Sequence, residues 1–124
     1  MPVPKEEQEF VSCVVDLMQS IGPVSAKRMF GGHGIFLEGL MFGLIAGTTL
    51  YLKVDDQSKG AFEALGLEAF AYSKNGKEYK MSYYQAPEEA LEDPQEMMLW
   101  ANQAYGVAIA AASKKTKPLE RHVL

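Results

Sequence analysis

A two-layer α+β sandwich, an antiparallel sheet of about five strands backed by helices, is the fold this sequence predicts. Three observations predict it. Short apolar runs separated by very short turns fill the middle of the chain. Turns that short permit only antiparallel hairpins, because a parallel crossover needs a dozen residues or more. Amphipathic stretches at both ends and one between the strands give the order α-β-β-β-α-β-β-α, which packs as a sheet with helices against it.

The first helix is carried by Phe10, Val14, Leu17, Met18 and Ile21, spaced at threes and fours. Glu6 and Glu7 sit in its first turn, where the helix dipole favours acids, and Gly22-Pro23 stops it. Met29-Phe30 leads into the strands. Ile35 to Glu38 and Leu40 to Ala46 flank a turn at Glu38-Gly39, and Gly47-Thr48 separates the latter from Leu50 to Val54.

Asp55, Asp56 and Ser58 offer capping oxygens to a short helix bearing Ala61, Phe62 and Leu65 and closed by Gly66. A second hairpin pairs Ala69 to Ser73 with Glu78 to Tyr84 around Asn75-Gly76, two residues that tolerate positive φ. The last helix opens at Asp93-Pro94-Gln95-Glu96, with an N-cap acid and a first-turn proline, and is expected to reach about Ser113. Residues 1–113 thus form one domain and 114–124 a polar basic tail.

Length and composition agree with one core: 124 residues, 48% hydrophobic. With 16 acidic against 12 basic residues the net charge is −4, so no global field draws in nucleic acid. A single cysteine, Cys13, excludes an intramolecular disulfide and a thiolate cluster. The acidic start lacks a signal peptide's apolar core and no run is long enough to span a membrane, so a cytoplasmic protein is expected.

Few residues suggest chemistry. Gly31-Gly32-His33-Gly34 lacks the spacing of a dinucleotide fingerprint and the Gly-Lys-Ser/Thr of a phosphate loop. It reads either as an exposed loop presenting His33 to a partner or as a glycine bulge with His33 solvated. His122 is the other histidine, so a His-based catalytic or metal site has little to draw on. Cys13, among hydrophobic neighbours, is expected to be a small buried side chain.

Glu88, Glu89, Glu92, Asp93, Asp55 and Asp56 are accounted for by helix N-termini. No catalytic residue, metal site or cofactor is predicted. Tyr79, Met81 and Tyr83 alternate with Lys80, Ser82 and Tyr84, one row for the core and one for solvent, although aromatic and basic residues together also suit a single strand of nucleic acid. Ala101, Ala104, Ala108, Ala111 and Ala112 form a small-residue stripe that suits either close packing inside the domain or a homodimer face.

The stretch Arg28-Met29-Phe30-Gly31-Gly32-His33-Gly34-Ile35-Phe36 is followed by Gly39 to Ile45 and Leu50 to Lys53, then by Met81-Ser82-Tyr83-Tyr84, Pro87 and Trp100-Ala101. From about Phe10 to Ala112 this pattern resembles the N-terminal domain of the TfoX/Sxy family of competence regulators. The resemblance implies a secretion-chaperone-like α/β sandwich and a non-enzymatic role in transcription of competence genes, with the cyclic-AMP receptor protein as partner at promoters. Family members carry a second, helical domain, which this chain is expected to lack. A stand-alone chaperone-like domain holding a peptide or small ligand is the alternative. Candidate partner contacts are Arg28, Phe30, His33 and Trp100; candidate nucleic-acid contacts are Lys27, Lys114, Lys115, Lys117 and Arg121.

Overall fold

The acidic first turn of Glu6 and Glu7 opens α1 (Lys5–Leu17), and a short 3-10 turn, Gln19–Ile21, carries the chain to Gly22, whose φ of 145° ends the helical run. The computed structural model describes residues 4–29 and 31–123, with side chains described outside 72–74, 79–80 and 114–123. Four strands follow in sequence: β1 (Ser25–Met29), β2 (Gly32–Leu37), β3 (Leu40–Ala46) and β4 (Thr49–Lys53). Then come α2 (Lys59–Ala64), β5 (Ala69–Lys74), β6 (Lys77–Gln85), α3 (Glu88–Glu92) and α4 (Pro94–Val123).

The strands form one antiparallel sheet in the order β1-β2-β3-β4-β6-β5. Both predicted tight turns have the backbone their residues suit. Glu38 and Gly39 lie at φ 51° and 82°, and Asn75 and Gly76 at 54° and 79°, the paired positive values of a type I′ hairpin.

Register divides the sheet into two faces. Ala26, Ile35 and Leu37 of β1 and β2 share a face with Ile45, Leu50, Leu52 and Tyr84. On this face the helices bury Val14, Met18, Phe62, Met97, Ala101, Ala104 and Ala108. A bulge between Ile35 and Phe36 leaves Phe42 of β3 the extra residue, and its ring meets Tyr105 of α4 edge-on at 5.7 Å. Ala101, Ala104 and Ala108 of the alanine stripe are therefore spent inside the domain, where small side chains let α4 lie close to β3 and β4, while Ala111 and Ala112 are half-buried.

Four details differ from expectation. The sheet has a sixth strand, β1, which is short, polar and at an edge, and so carries none of the apolar signal used to find strands. Glu88–Glu92 is a helix of its own before α4. Helix α4 continues past Ser113 to Val123; Lys, Leu, Glu and Arg are good helix formers, and their polarity made the segment read as tail. Cys13 is exposed, because the covered stripe of α1 passes through Val14 and Met18 and leaves Cys13 outside it. Among the described residues no helix is long and apolar enough to cross a membrane.

Candidate functional site

The second face of the sheet carries Lys27 and Met29 of β1, Gly34 and Phe36 of β2, Met41 and Leu44 of β3, and Tyr51 and Lys53 of β4. Tyr83 joins them from β6 and Phe70, in ring contact with Tyr51, from β5. None of these apolar residues belongs to the core cluster that joins the helices to the sheet. This is an open face, and an unusually apolar one.

Its centre is a glycine. A Cβ on Gly34 would collide with the sulfurs of Met29 and Met41 and with the ring edge of Phe36, so the missing side chain is what lets these three converge. Leu44 beside them is 1% exposed although no helix residue of the core cluster packs against it. The rings lie along the sheet: Tyr51 and Phe70 meet edge-on at 5.1 Å, and the Tyr83 hydroxyl reaches the Met41 carbonyl at 3.5 Å, at the limit of a hydrogen bond. Burial pushes the Tyr83 hydroxyl up to about 12, since the phenolate would lose its water.

Two cations frame the rings. Lys27 Nζ stands 5.3 Å from the centre of the Phe36 ring, and Lys53 Nζ 5.0 Å from that of Tyr83, both within cation–π range. Lys77 of β6 lies in the same row as Tyr83, so among the described residues Lys27, Lys53 and Lys77 are the charged ones assigned to this face.

The sequence-predicted residues are not gathered into one site. Arg28 and His33 are direct cross-strand partners, but Arg28 is exposed on the edge strand while His33 is buried beneath α1. Neither sequence reading of His33 holds: the glycine run is strand β2, and the imidazole is covered. Its Nδ1 is 3.4 Å from Glu7 Oε2, in ion-pair range but outside hydrogen-bond geometry, so this buried nitrogen has no hydrogen-bond partner among the described residues.

Trp100 is half-buried on α4, edge-on to Phe62 at 5.1 Å, and belongs to the core periphery at the far side of the sheet. Phe30 lies outside the described residues, as do the side chains of Lys114, Lys115, Lys117 and Arg121. Among the described candidates, Lys27 alone joins the open face. Tyr83 and Tyr84 do sit on opposite faces, with Tyr84 toward the helices, where its hydroxyl donates to Glu63 Oε2 at 2.7 Å.

Asp55 and Asp93 behave as caps. Asp55 Oδ1 accepts from the N–H groups of Ser58 and Gln57, and hydrogen bonding from Ser58 first and Gln57 after it holds the Asp55 carboxyl below its usual range; the Asp55 N–H in turn donates to Ser58 Oγ. Asp93 Oδ1 accepts from the Gln95 N–H. Among the described residues no group of three or more His, Cys, Asp or Glu side chains could hold a metal ion. A depression of about 630 Å³ along α1 is lined by Lys5, Gln8, Glu9, Ser12, Cys13, Asp16 and Leu17, all from one helix, so it is a shallow strip rather than a cleft.

The residues that sequence reasoning missed are Met29, Gly34, Phe36, Met41, Leu44, Tyr51, Lys53 and Phe70. A signal was present. Ile35-Phe36-Leu37 and Leu40 to Ile45 are apolar at both alternations, the mark of strands with two apolar faces, where a half-solvated strand would alternate.

The family model described as the TfoX N-terminal domain matches residues 16–108. The chain is also similar to the DNA transformation protein TfoX1 of Aliivibrio fischeri, with 30% identity over 73 residues that cover 59% of this chain. The matched stretch spans 35% of that relative's length.

Proposed function

This chain belongs to the TfoX N-terminal domain family, and from that premise we propose that it is a non-enzymatic regulatory module of the cytoplasm, a coregulator of competence-type genes that works by protein–protein contact. The family membership carries this reading. The similar protein is named for DNA transformation, and the resemblance to competence regulators supplies the cyclic-AMP receptor protein as the partner at promoters. The acidic balance favours contact with a protein over gripping DNA unaided, since net charge −4 gives no general attraction to phosphates.

Fluorescence anisotropy on a labelled competence-type promoter tests it, with this protein alone, the receptor protein alone, and both, across a salt series. A shift that needs both proteins is the expected result. Binding by this protein alone with a steep salt slope would replace the reading with direct phosphate contact, and no effect in any mixture would discard it.

A second reading, a stand-alone chaperone-like domain that binds a peptide or small ligand, is favoured by one observation: the apolar face of the sheet that the helices leave uncovered. A single dominant co-purifying protein that is not a transcription factor is its expected result.

A further inference from the structure

We propose that the outward face of α4 is a self-association surface, on which a second copy of this chain packs its own α4 in the antiparallel sense, the two helices crossing at Gly106. This goes beyond the regulatory reading and does not depend on it.

Exposure defines the face. Leu99, Asn102, Gln103, Gly106, Ile109 and Ala110 point away from the sheet, while Ala101, Ala104 and Ala108 on the opposite side of the helix are buried. From Met97 to Ser113 the sequence holds no Asp, Glu, Lys, Arg or His, although charged residues make up 23% of the chain. A surface helix ordinarily keeps charge on its solvent side, whereas loss of charge marks the centre of an interface. Leu99 at 61% and Ile109 at 44% exposed are large apolar side chains that the domain leaves in water.

Gly106 locates the crossing. Glycine in a helix interior is destabilising relative to alanine. A Cβ at this position would meet nothing within 4 Å, so nothing in the domain requires its absence. A second helix does require it, because a bare backbone lets two helices approach most closely. Room for that helix lies beside Gly106, in a groove whose far wall is Gln57 and Ser58 of the loop before α2, with Asp55 at the rim.

Charge along the helix selects the occupant and its direction. Glu92, Asp93 and Glu96 precede the uncharged stretch, and Lys114, Lys115 and Lys117 follow it. Antiparallel copies crossing at Gly106 set the acidic start of each helix against the basic end of the other, and a parallel pair would set like against like. Each end also suits the dipole of its own helix, so the uncharged exposed face between them is what calls for a partner. The face is complementary to itself, as a two-fold interface requires. It offers fewer residues than the roughly 20–30 a side of a standard interface, so a dissociation constant of about 10–100 μM is expected.

Sedimentation equilibrium over a concentration series spanning that range tests the proposal. The wild-type protein should pass from monomer to dimer. Gly106→Leu should raise the thermal midpoint in dilute solution, since leucine is the better helix former and has open space in the domain, yet weaken dimerisation at least tenfold. Leu99→Ala/Ile109→Ala, which trims exposed side chains and leaves the core intact, should weaken it in the same direction. Direction is read from a nitroxide on Gln95→Cys in a Cys13→Ser background, because Gln95 and Cys13 are both exposed. Antiparallel helices crossing at Gly106 hold the two labels about 33 Å apart, at 1.5 Å per residue, and parallel ones bring them side by side.

A protein that stays monomeric through the series, a dimer untouched by Gly106→Leu, or labels found side by side would overturn the proposal. A monomeric wild-type protein whose promoter activity Gly106→Leu abolishes would give the face to a different protein, and so would also overturn it.

Discussion

His33 Nδ1 lies 3.4 Å from Glu7 Oε2, and this approach links the first turn of α1 to the second strand of the sheet. The side chains are 10% and 13% exposed, so the pair is nearly dry. A buried nitrogen without a hydrogen bond is costly, and the carboxylate is what offsets that cost. Replacing Glu7 with Ala should therefore destabilise the domain by about 1–2 kcal/mol. His33→Leu, which removes the polar atom together with its need for a partner, should cost less. Urea denaturation of both variants checks the order, and a larger loss from His33→Leu would refute it.

Gly32 and Gly31 should respond in opposite degree to alanine. A Cβ on Gly32 would run into the Ile45 carbonyl oxygen of the neighbouring strand, and backbone cannot step aside. Gly31 meets nothing within 4 Å and suffers only from its φ of 75°. Gly32→Ala is expected to cost about 3 kcal/mol or more and Gly31→Ala about 1 kcal/mol. Denaturation midpoints of the two proteins decide it.

Leu52 and Leu44 are both buried, one beneath the helices and one on the open face. Leu52→Ala leaves a hole walled by packed helices and should cost about 3–5 kcal/mol. Leu44→Ala opens space beside methionines, whose unbranched side chains can fill it, and should cost about 2 kcal/mol. Equal losses would show that the open face is as rigid as the core.

Alkaline stability should report Tyr83. Its hydroxyl is raised from 10.0 to about 12 in the folded protein, so between those values the native state holds a proton that the unfolded chain has released. Stability contributed by the neutral phenol is present below pH 10 and falls as pH rises through the folded value. Tyr83→Phe should flatten that decline relative to the wild type. Denaturation followed at a series of alkaline pH values measures the difference, and parallel curves would contradict it.

Asp55 should matter and Asp56 should not. Asp55 ties down the turn before α2 through two backbone N–H groups, whereas the fully exposed Asp56 carboxylate makes a surface pair with Lys59 at 3.7 Å. Because the Asp55 carboxyl is held below its usual value of 3.8, its stabilisation is present above that pH and disappears as acid titrates the folded form. Asp55→Ala should lower the denaturation midpoint at neutral pH, with the gap to wild type closing in acid.

The architecture was legible because helices, turns and hairpins are written locally. Asn75-Gly76 and Glu38-Gly39 specify their turns by tolerating positive φ, and Val14 with Met18 specify the covered stripe of α1 by spacing alone. The edge strand β1 was not, since Ser25 to Met29 earns its pairing from β2 and not from its own propensity. The candidate site was mostly illegible for a related reason: one strand's alternation does not say which face the helices will cover. Lys27 was picked out, but Phe36, Met41 and Lys53 become neighbours only through register, and His33 moved from an expected surface to the interior once α1 lay over it.

The sheet order has a kinetic consequence. Strands β1 to β4 form a meander in which each strand pairs with the next, so their contacts close over a few residues at little entropic cost. β6 reaches β4 only after α2 and the whole β5–β6 hairpin have been passed over, pairing Lys53 with Tyr83. On this topology the meander should form first and the β5–β6 hairpin dock last, so amide hydrogen exchange should find the earliest opening at the seam between β4 and β6.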